Sequence, residues 1–69
     1  MPPAVTIGQK WAAWVPGRQQ WLLATVIQCE HEAITLRCDK RYGIAVDGDL
    51  RADADTMLKN RNLFRFVEA

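Results

Sequence analysis

The stretch WLLATVIQCEHEAITLRC, residues 21–38, decides the fold. It holds two apolar runs, 21–29 and 33–38, both rich in residues that favour strands, and the polar triplet EHE separates them. This pattern predicts a β-hairpin with its turn at His31. The register of such a hairpin places Cys29 opposite Ala33 or Ile34, and Cys38 opposite a residue near Thr25 or Ala24. The two thiols would then lie far apart, so no disulfide is expected.

Strand signals continue on both sides of this hairpin. Before it, KWAAWV, residues 10–15, ends at the turn dipeptide PG, residues 16 and 17, and predicts a first strand. At the C-terminus, LFRFVEA, residues 63–69, alternates apolar and polar positions and predicts a last strand. Alternation in the first strand sets Trp11 apart from Trp14, and we expect Trp11 in the core.

The segment between the hairpin and the last strand contains turns and a short helix. DKRYGIAVDGDLR, residues 39–51, is rich in glycine and aspartate, and we expect a loop with a short strand at Tyr42–Val46. In DADTMLKNRN, residues 53–62, Asp53 or Asp55 can cap a helix of one or two turns, and Asn60 or Asn62 can end it. The Asp-rich stretch 46–55 is interpreted as a turn leading into this cap rather than a calcium loop.

Together these elements predict an all-β fold with four to five antiparallel strands and one short helical turn before the last strand. Closure into a small barrel removes the exposed edges that so short a chain would otherwise present. Residues 1–6 are expected to be an N-terminal extension and residues 7–69 a single domain. The predicted core is Trp11, Ala24, Val26, Ile34 or Leu36, and Phe64 or Phe66.

Composition limits the functions that the chain can have. With 69 residues and 49% hydrophobic content, there is room for one domain with a small core. The net charge of +1 is weak for a protein that binds phosphate backbones, so nucleic acid is not the expected partner. The N-terminus has no signal-like apolar run and no window suits a membrane span, which predicts a cytoplasmic protein without membrane contact.

Some of these residues resemble SH3-like barrels of the Tudor type. The Tudor pattern of a glycine, a small apolar strand, a strand of the form W-Y-R-A-x-V and a later D-Y-G is matched by Gly8, WAAWV, WLLATV and LRCDKRYGI. The first strands are also similar to those of the Tudor-like subunit of the SAGA coactivator. The resemblance covers residues 7 to about 46. It implies a non-catalytic module that binds a protein or peptide, and a methylated or cationic peptide is the implied ligand.

The candidate ligand site is an open box of aromatic rings with one carboxylate. Trp14, Trp21 and Tyr42, with Asp39 at the rim, are the expected members, because ring faces attract a poorly hydrated cation. Two alternatives use the same region. Trp14, Trp21 and Leu23 can form a self-association patch of a homo-oligomer. Exposed aromatics with basic neighbours can also bind nucleic acid, and the basic candidates are Arg18, Arg37, Lys40 and Arg41.

We expect neither catalysis nor a metal or other cofactor. The chain has no serine, and Cys29 and His31 lie two positions apart on a solvated turn, which rarely brings a nucleophile and a base together. Two cysteines and one histidine are too few ligands for a zinc site.

Overall fold

The computed structural model describes residues 3–17, 19–38 and 49–68. They form one antiparallel sheet of five strands with a short helix before the last strand. The all-β prediction is therefore confirmed. In chain order the elements are β1 (Lys10–Val15), β2 (Gln20–Glu30), β3 (Ala33–Cys38), β4 (Leu50–Asp53), α1 (Ala54–Lys59) and β5 (Phe64–Glu68).

The strands lie in the order β4-β3-β2-β1-β5. The last strand of the chain therefore pairs with the first, and β4 and β5 are the two ends of the sheet. Among the described residues these end strands do not pair with each other, so hydrogen bonding leaves the sheet open. Helix α1 lies between the two end strands in the chain and packs against both.

The predicted hairpin is confirmed in register and in the bounds of β3, and β2 is one residue longer at each end than the predicted run 21–29. β2 and β3 pair so that Cys29 is opposite Ile34 and Cys38 is opposite Ala24, and both cysteines are free thiols. The two-residue turn holds His31 at φ +57°, a left-handed conformation that is uncommon for a residue other than glycine. A bulge between Val26 and Gln28 interrupts the register.

One side of the sheet carries the core, which follows from the alternation of β1 and β2. Trp11 and Ala13 of β1 are buried, as are Leu22, Ala24 and Val26 of β2. The expectation of Trp11 in the core is confirmed, and Ile34 and Leu36 are both buried. Phe64 and Phe66 are half-buried and pack against this cluster, and the Phe66 ring meets Trp11 edge-on at a centroid distance of 5.5 Å.

The helix supplies the remaining core residue. Asp53 caps its N-terminus by accepting a hydrogen bond from the backbone N–H of Thr56, and Asn60 ends it, as two of the predicted alternatives require. Met57 is fully buried against the core cluster. Burying such a side chain stabilises the fold by about 1.5–3 kcal/mol, which explains why so short a helix is ordered.

One sequence interpretation is wrong in part. The stretch 46–55 was expected to be a turn running into the helix cap, but Leu50–Asp53 is a strand that pairs with β3. Its pattern is weak because only Leu50 and Ala52 are apolar, and both are half-buried. The exposed hydrogen-bonding edge of β3 makes this segment a strand. The strand expected at Tyr42–Val46 lies outside the described residues.

The segment before β1 is fixed by a buried glutamine. Gln9 is 6% exposed, and its side-chain oxygen accepts hydrogen bonds from the Trp11 indole N–H and the Thr6 backbone N–H, both at 3.1 Å. Its amide nitrogen donates to the Ala4 carbonyl, also at 3.1 Å. These bonds hold Val5, which is 9% exposed, against the core, although it lies in the segment expected to be an extension.

A candidate aromatic and basic binding surface

Trp14 and Trp21 are directly opposite each other across β1 and β2, and both lie on the side of the sheet that faces away from the core. Their ring centroids are 5.5 Å apart, and the ring planes are inclined at 59°. Both residues are half-buried, whereas Trp11, on the other side of β1, is fully buried. The turn between β1 and β2 brings the two rings together. The two strands begin to pair at Val15 and Gln20, and the next pair along the ladder is Trp14 with Trp21.

A cation already lies on one of these rings. The guanidinium carbon of Arg65 is 4.5 Å from the centroid of the Trp21 ring, within the range of a cation–π interaction. Arg65 belongs to β5 and Trp21 to β2, so the arginine side chain crosses the intervening strand β1. It does so at Ala12, its partner in the register, whose methyl group leaves room above the sheet.

The Arg65 guanidinium is also held by the turn that precedes β5. Its Nε donates a hydrogen bond of 3.1 Å to the backbone carbonyl of Arg61. The contact with Trp21 and this hydrogen bond both act on the guanidinium group, and together they restrict the rotamers of the side chain. Arg65 itself remains exposed. The structure therefore presents a positioned guanidinium beside two aromatic rings.

Two of the four predicted site residues are thus brought together, and two cannot be placed. Tyr42 and Asp39 lie outside the described residues, as do Arg18, Lys40 and Arg41 of the nucleic-acid alternative. Of that basic set the structure describes Arg37, whose Nε lies 3.2 Å from the Asp49 carboxylate. An arginine paired in this way has less positive potential to offer a phosphate.

Arg65 was missed as a site residue by the sequence reasoning. The alternation of the last strand places it on the outward side, between Phe64 and Phe66. Local sequence patterns do not indicate that β5 pairs with β1 rather than with β4, the strand before it in the chain. The contact with Trp21 depends on that pairing.

The environment of the Cys38 thiol changes its ionisation. Burial, together with the negative charge of Asp49, raises the pKa of the Cys38 thiol above its ordinary value. A raised pKa disfavours the nucleophilic thiolate. Within the described ranges, no three His, Cys, Asp or Glu side chains are grouped so that they could hold a metal ion. None of the helices in that part of the chain is long and apolar enough to cross a membrane.

Comparison with known proteins adds no relative. Neither the family models, nor the curated proteins, nor the solved structures include a match to this chain.

Proposed function

We propose that this chain is a non-catalytic interaction module, an SH3-like barrel of the Tudor type that binds a peptide segment of a partner protein. The observation that carries the proposal is the pair Trp14–Trp21, two half-exposed indoles in contact on the outward side of the sheet. Tryptophan and arginine dominate the energetic centres of protein interfaces, and Arg65 completes such a group here.

Three features support the barrel. The first and last strands pair, the sheet has five antiparallel strands, and α1 packs against both end strands. A barrel of this size has a continuous core and leaves its outward rings for recognition. Curling of the sheet would bring β4 and β5 towards each other across α1.

The position of Arg65 affects which peptides the indole pair can bind. A methylated lysine needs a free ring face, and one face of Trp21 already carries the protein's own guanidinium. A ligand cation would have to displace Arg65 or bind close to a like charge, and either costs binding energy. The peptide ligand that we propose therefore makes apolar contacts with the indoles, and a methylated-lysine peptide is the competing hypothesis to be tested beside it.

The test is a fluorescence titration of the parent protein with three synthetic peptides: one with trimethyl-lysine, one with alternating acidic and apolar residues, and one neutral and apolar. At least one should perturb tryptophan emission and bind below about 1 mM. Trp14→Ala should weaken that binding at least about tenfold, since truncating a central interface tryptophan often has this effect. Ile7→Ala is the matched control, because Ile7 is exposed but belongs to the N-terminal segment.

Self-association is the second candidate, and the exposed apolar Val67 favours it. Val67 is 49% exposed and occupies a bulge where β5 meets β1 at Lys10. With the two indoles it could be covered by a second copy. Light scattering after size exclusion would then show a dimer that Trp14→Ala and Val67→Asp convert to monomer. A monomer that binds none of the three peptides would refute both candidates.

A further inference from the structure

A groove runs along β5 beside the aromatic pair. It has a volume of about 520 Å³ and is lined by Arg61, Phe64, Arg65 and Phe66. The two phenylalanines are half-buried and the two arginines are exposed. All four residues come from β5 and the turn before it, and β5 is at one end of the strand order. The groove therefore follows the last strand and offers an extended peptide both apolar surface and guanidinium groups.

Charge is unevenly divided along the chain, although its net value is only +1. Residues 1–29 and 56–67 contain no aspartate or glutamate. These ranges form β1, nearly all of β2 and most of β5, which are neighbouring strands, together with the last four residues of α1. The basic residues within them are Lys10, Arg18, Lys59, Arg61 and Arg65.

The acidic residues fall in the rest of the sequence. All eight lie in residues 30–55 or at Glu68, where four basic residues accompany them. In the structure, exposed Glu32 and Asp53 belong to the β3–β4 end of the sheet. The groove belongs to β5, the other end strand, and none of the described residues that line it is a carboxylate. Its charge is complementary to an anionic ligand.

The Arg65 side chain is preorganised to bind such a ligand. Its Nε already donates a hydrogen bond to the Arg61 carbonyl, and its guanidinium carbon lies 4.5 Å from the Trp21 ring centroid, so the side chain loses little further freedom on binding. The two terminal nitrogens have the fork geometry that matches a carboxylate. Arg61, across the same groove, adds a second positive charge.

We infer that this groove binds an acidic peptide segment in which a carboxylate side chain lies next to an apolar one. The carboxylate pairs with Arg65 and Arg61, and the apolar neighbour packs on Phe64 and Phe66. The inference rests on the proposed function and specifies its ligand class. A nucleic acid is disfavoured because the net charge of the chain is only +1, which is weak for a ligand that carries a phosphate at every nucleotide.

The experiment uses the full chain and two fluorescein-labelled ten-residue peptides, one alternating Glu with Leu and Phe, the other with Gln in place of each Glu. Parent protein should bind the Glu peptide at least about tenfold more tightly than the Gln peptide. Raising NaCl from about 0.05 to about 0.5 M should remove most of that preference. Arg61→Gln and Arg65→Gln should each reduce affinity for the Glu peptide about five- to tenfold.

Two control variants separate charge from folding. Arg51→Gln removes an exposed arginine from β4, outside the groove, and should change affinity by less than about twofold. Arg61→Gln removes groove charge without touching the Trp21 ring, so its effect does not depend on the stacking of Arg65. Circular dichroism melting of Arg61→Gln and Arg51→Gln should match the parent, since both side chains are exposed, and Arg65→Gln should remain folded.

The outcomes distinguish the two proposals. Equal binding of the Glu and Gln peptides, lost in Trp14→Ala but not in Arg61→Gln or Arg65→Gln, would overturn the acidic ligand and leave the peptide-binding module intact. No binding of either peptide would count against both. Tighter binding of a ten-residue oligothymidylate than of the Glu peptide, with the same dependence on Arg61 and Arg65, would overturn the peptide class in favour of single-stranded nucleic acid.

Discussion

The indole N–H of Trp11 donates a 3.1 Å hydrogen bond to the side-chain oxygen of Gln9, and both residues are buried. The same oxygen accepts a bond from the Thr6 backbone, and the amide nitrogen reaches the Ala4 carbonyl. One glutamine therefore satisfies the polar atom of the largest core side chain and fixes the segment that carries Val5. In a domain of this size, whose stability is a few kcal/mol, such a network is a large fraction of the total.

We predict that Gln9→Leu lowers the free energy of unfolding by about 1–3 kcal/mol, because it leaves the buried Trp11 N–H without an acceptor. Urea denaturation monitored by tryptophan fluorescence measures it. Gln28→Leu, at an exposed position on β2, is the matched control and should stay within about 0.5 kcal/mol. In a Trp11→Phe background, which has no indole N–H, Gln9→Leu should cost less, and an equal cost in both backgrounds would contradict this assignment.

The fold was largely predictable from local patterns. β1 and β3 have the bounds that their apolar runs predict, and Asp53 caps the helix as its spacing indicated. These elements carry their own signals in strand propensity, alternation and capping. β4 does not, since Leu50–Asp53 has two apolar residues and becomes a strand by pairing with β3. The order of the strands could not be predicted without a fold resemblance.

The candidate surface was predictable only where it depends on one hairpin. Trp14 and Trp21 flank the first turn, so their meeting follows from the pairing of adjacent strands. The contact of Arg65 with Trp21 crosses β1 and requires the pairing of β5 with β1, which joins residues about fifty positions apart. The hydrogen bond from Trp11 to Gln9 could not be predicted either, because it depends on the position of the Trp11 ring in the folded core.

The contact between the two outward indoles should be measurable as a coupling energy. Trp14→Ala and Trp21→Ala should each leave the protein folded, because both side chains are half-exposed. A double-mutant cycle by urea denaturation should give a favourable coupling of about 0.5–1.5 kcal/mol, typical of an aromatic pair in this geometry. Additive effects of the two substitutions would show that the rings do not interact in solution.

The helix cap provides a third prediction. Asp53→Ala should lower the free energy of unfolding by about 1 kcal/mol, since the Thr56 N–H loses its acceptor at 3.2 Å. Asp53→Asn keeps an acceptor and should cost only a few tenths of a kcal/mol. Asp55→Ala is the control on the same helix: it breaks an exposed ion pair with Lys59 and should cost less than about 0.5 kcal/mol. A larger loss for Asp55→Ala than for Asp53→Ala would contradict the capping role.

The last prediction concerns the Cys38 thiol, whose pKa is raised by burial and by the Asp49 carboxylate. In a Cys29→Ala background, where Cys38 is the remaining thiol, alkylation by iodoacetamide at about pH 8 should be slower in the folded protein than in urea, because the thiolate is the reacting species. Asp49→Asn removes the neighbouring charge and should accelerate the reaction, whereas Asp55→Asn should not.

The raised pKa of Cys38 also determines the direction in which the free energy of unfolding changes with pH. A folded-state pKa above the unfolded one means that the folded chain retains the proton, so the stabilisation is present below the unfolded pKa and is lost as pH rises through the folded pKa. Alkaline destabilisation should accordingly be smaller in Cys38→Ala than in its parent. An unchanged alkylation rate in Asp49→Asn would show that burial alone raises the pKa of Cys38.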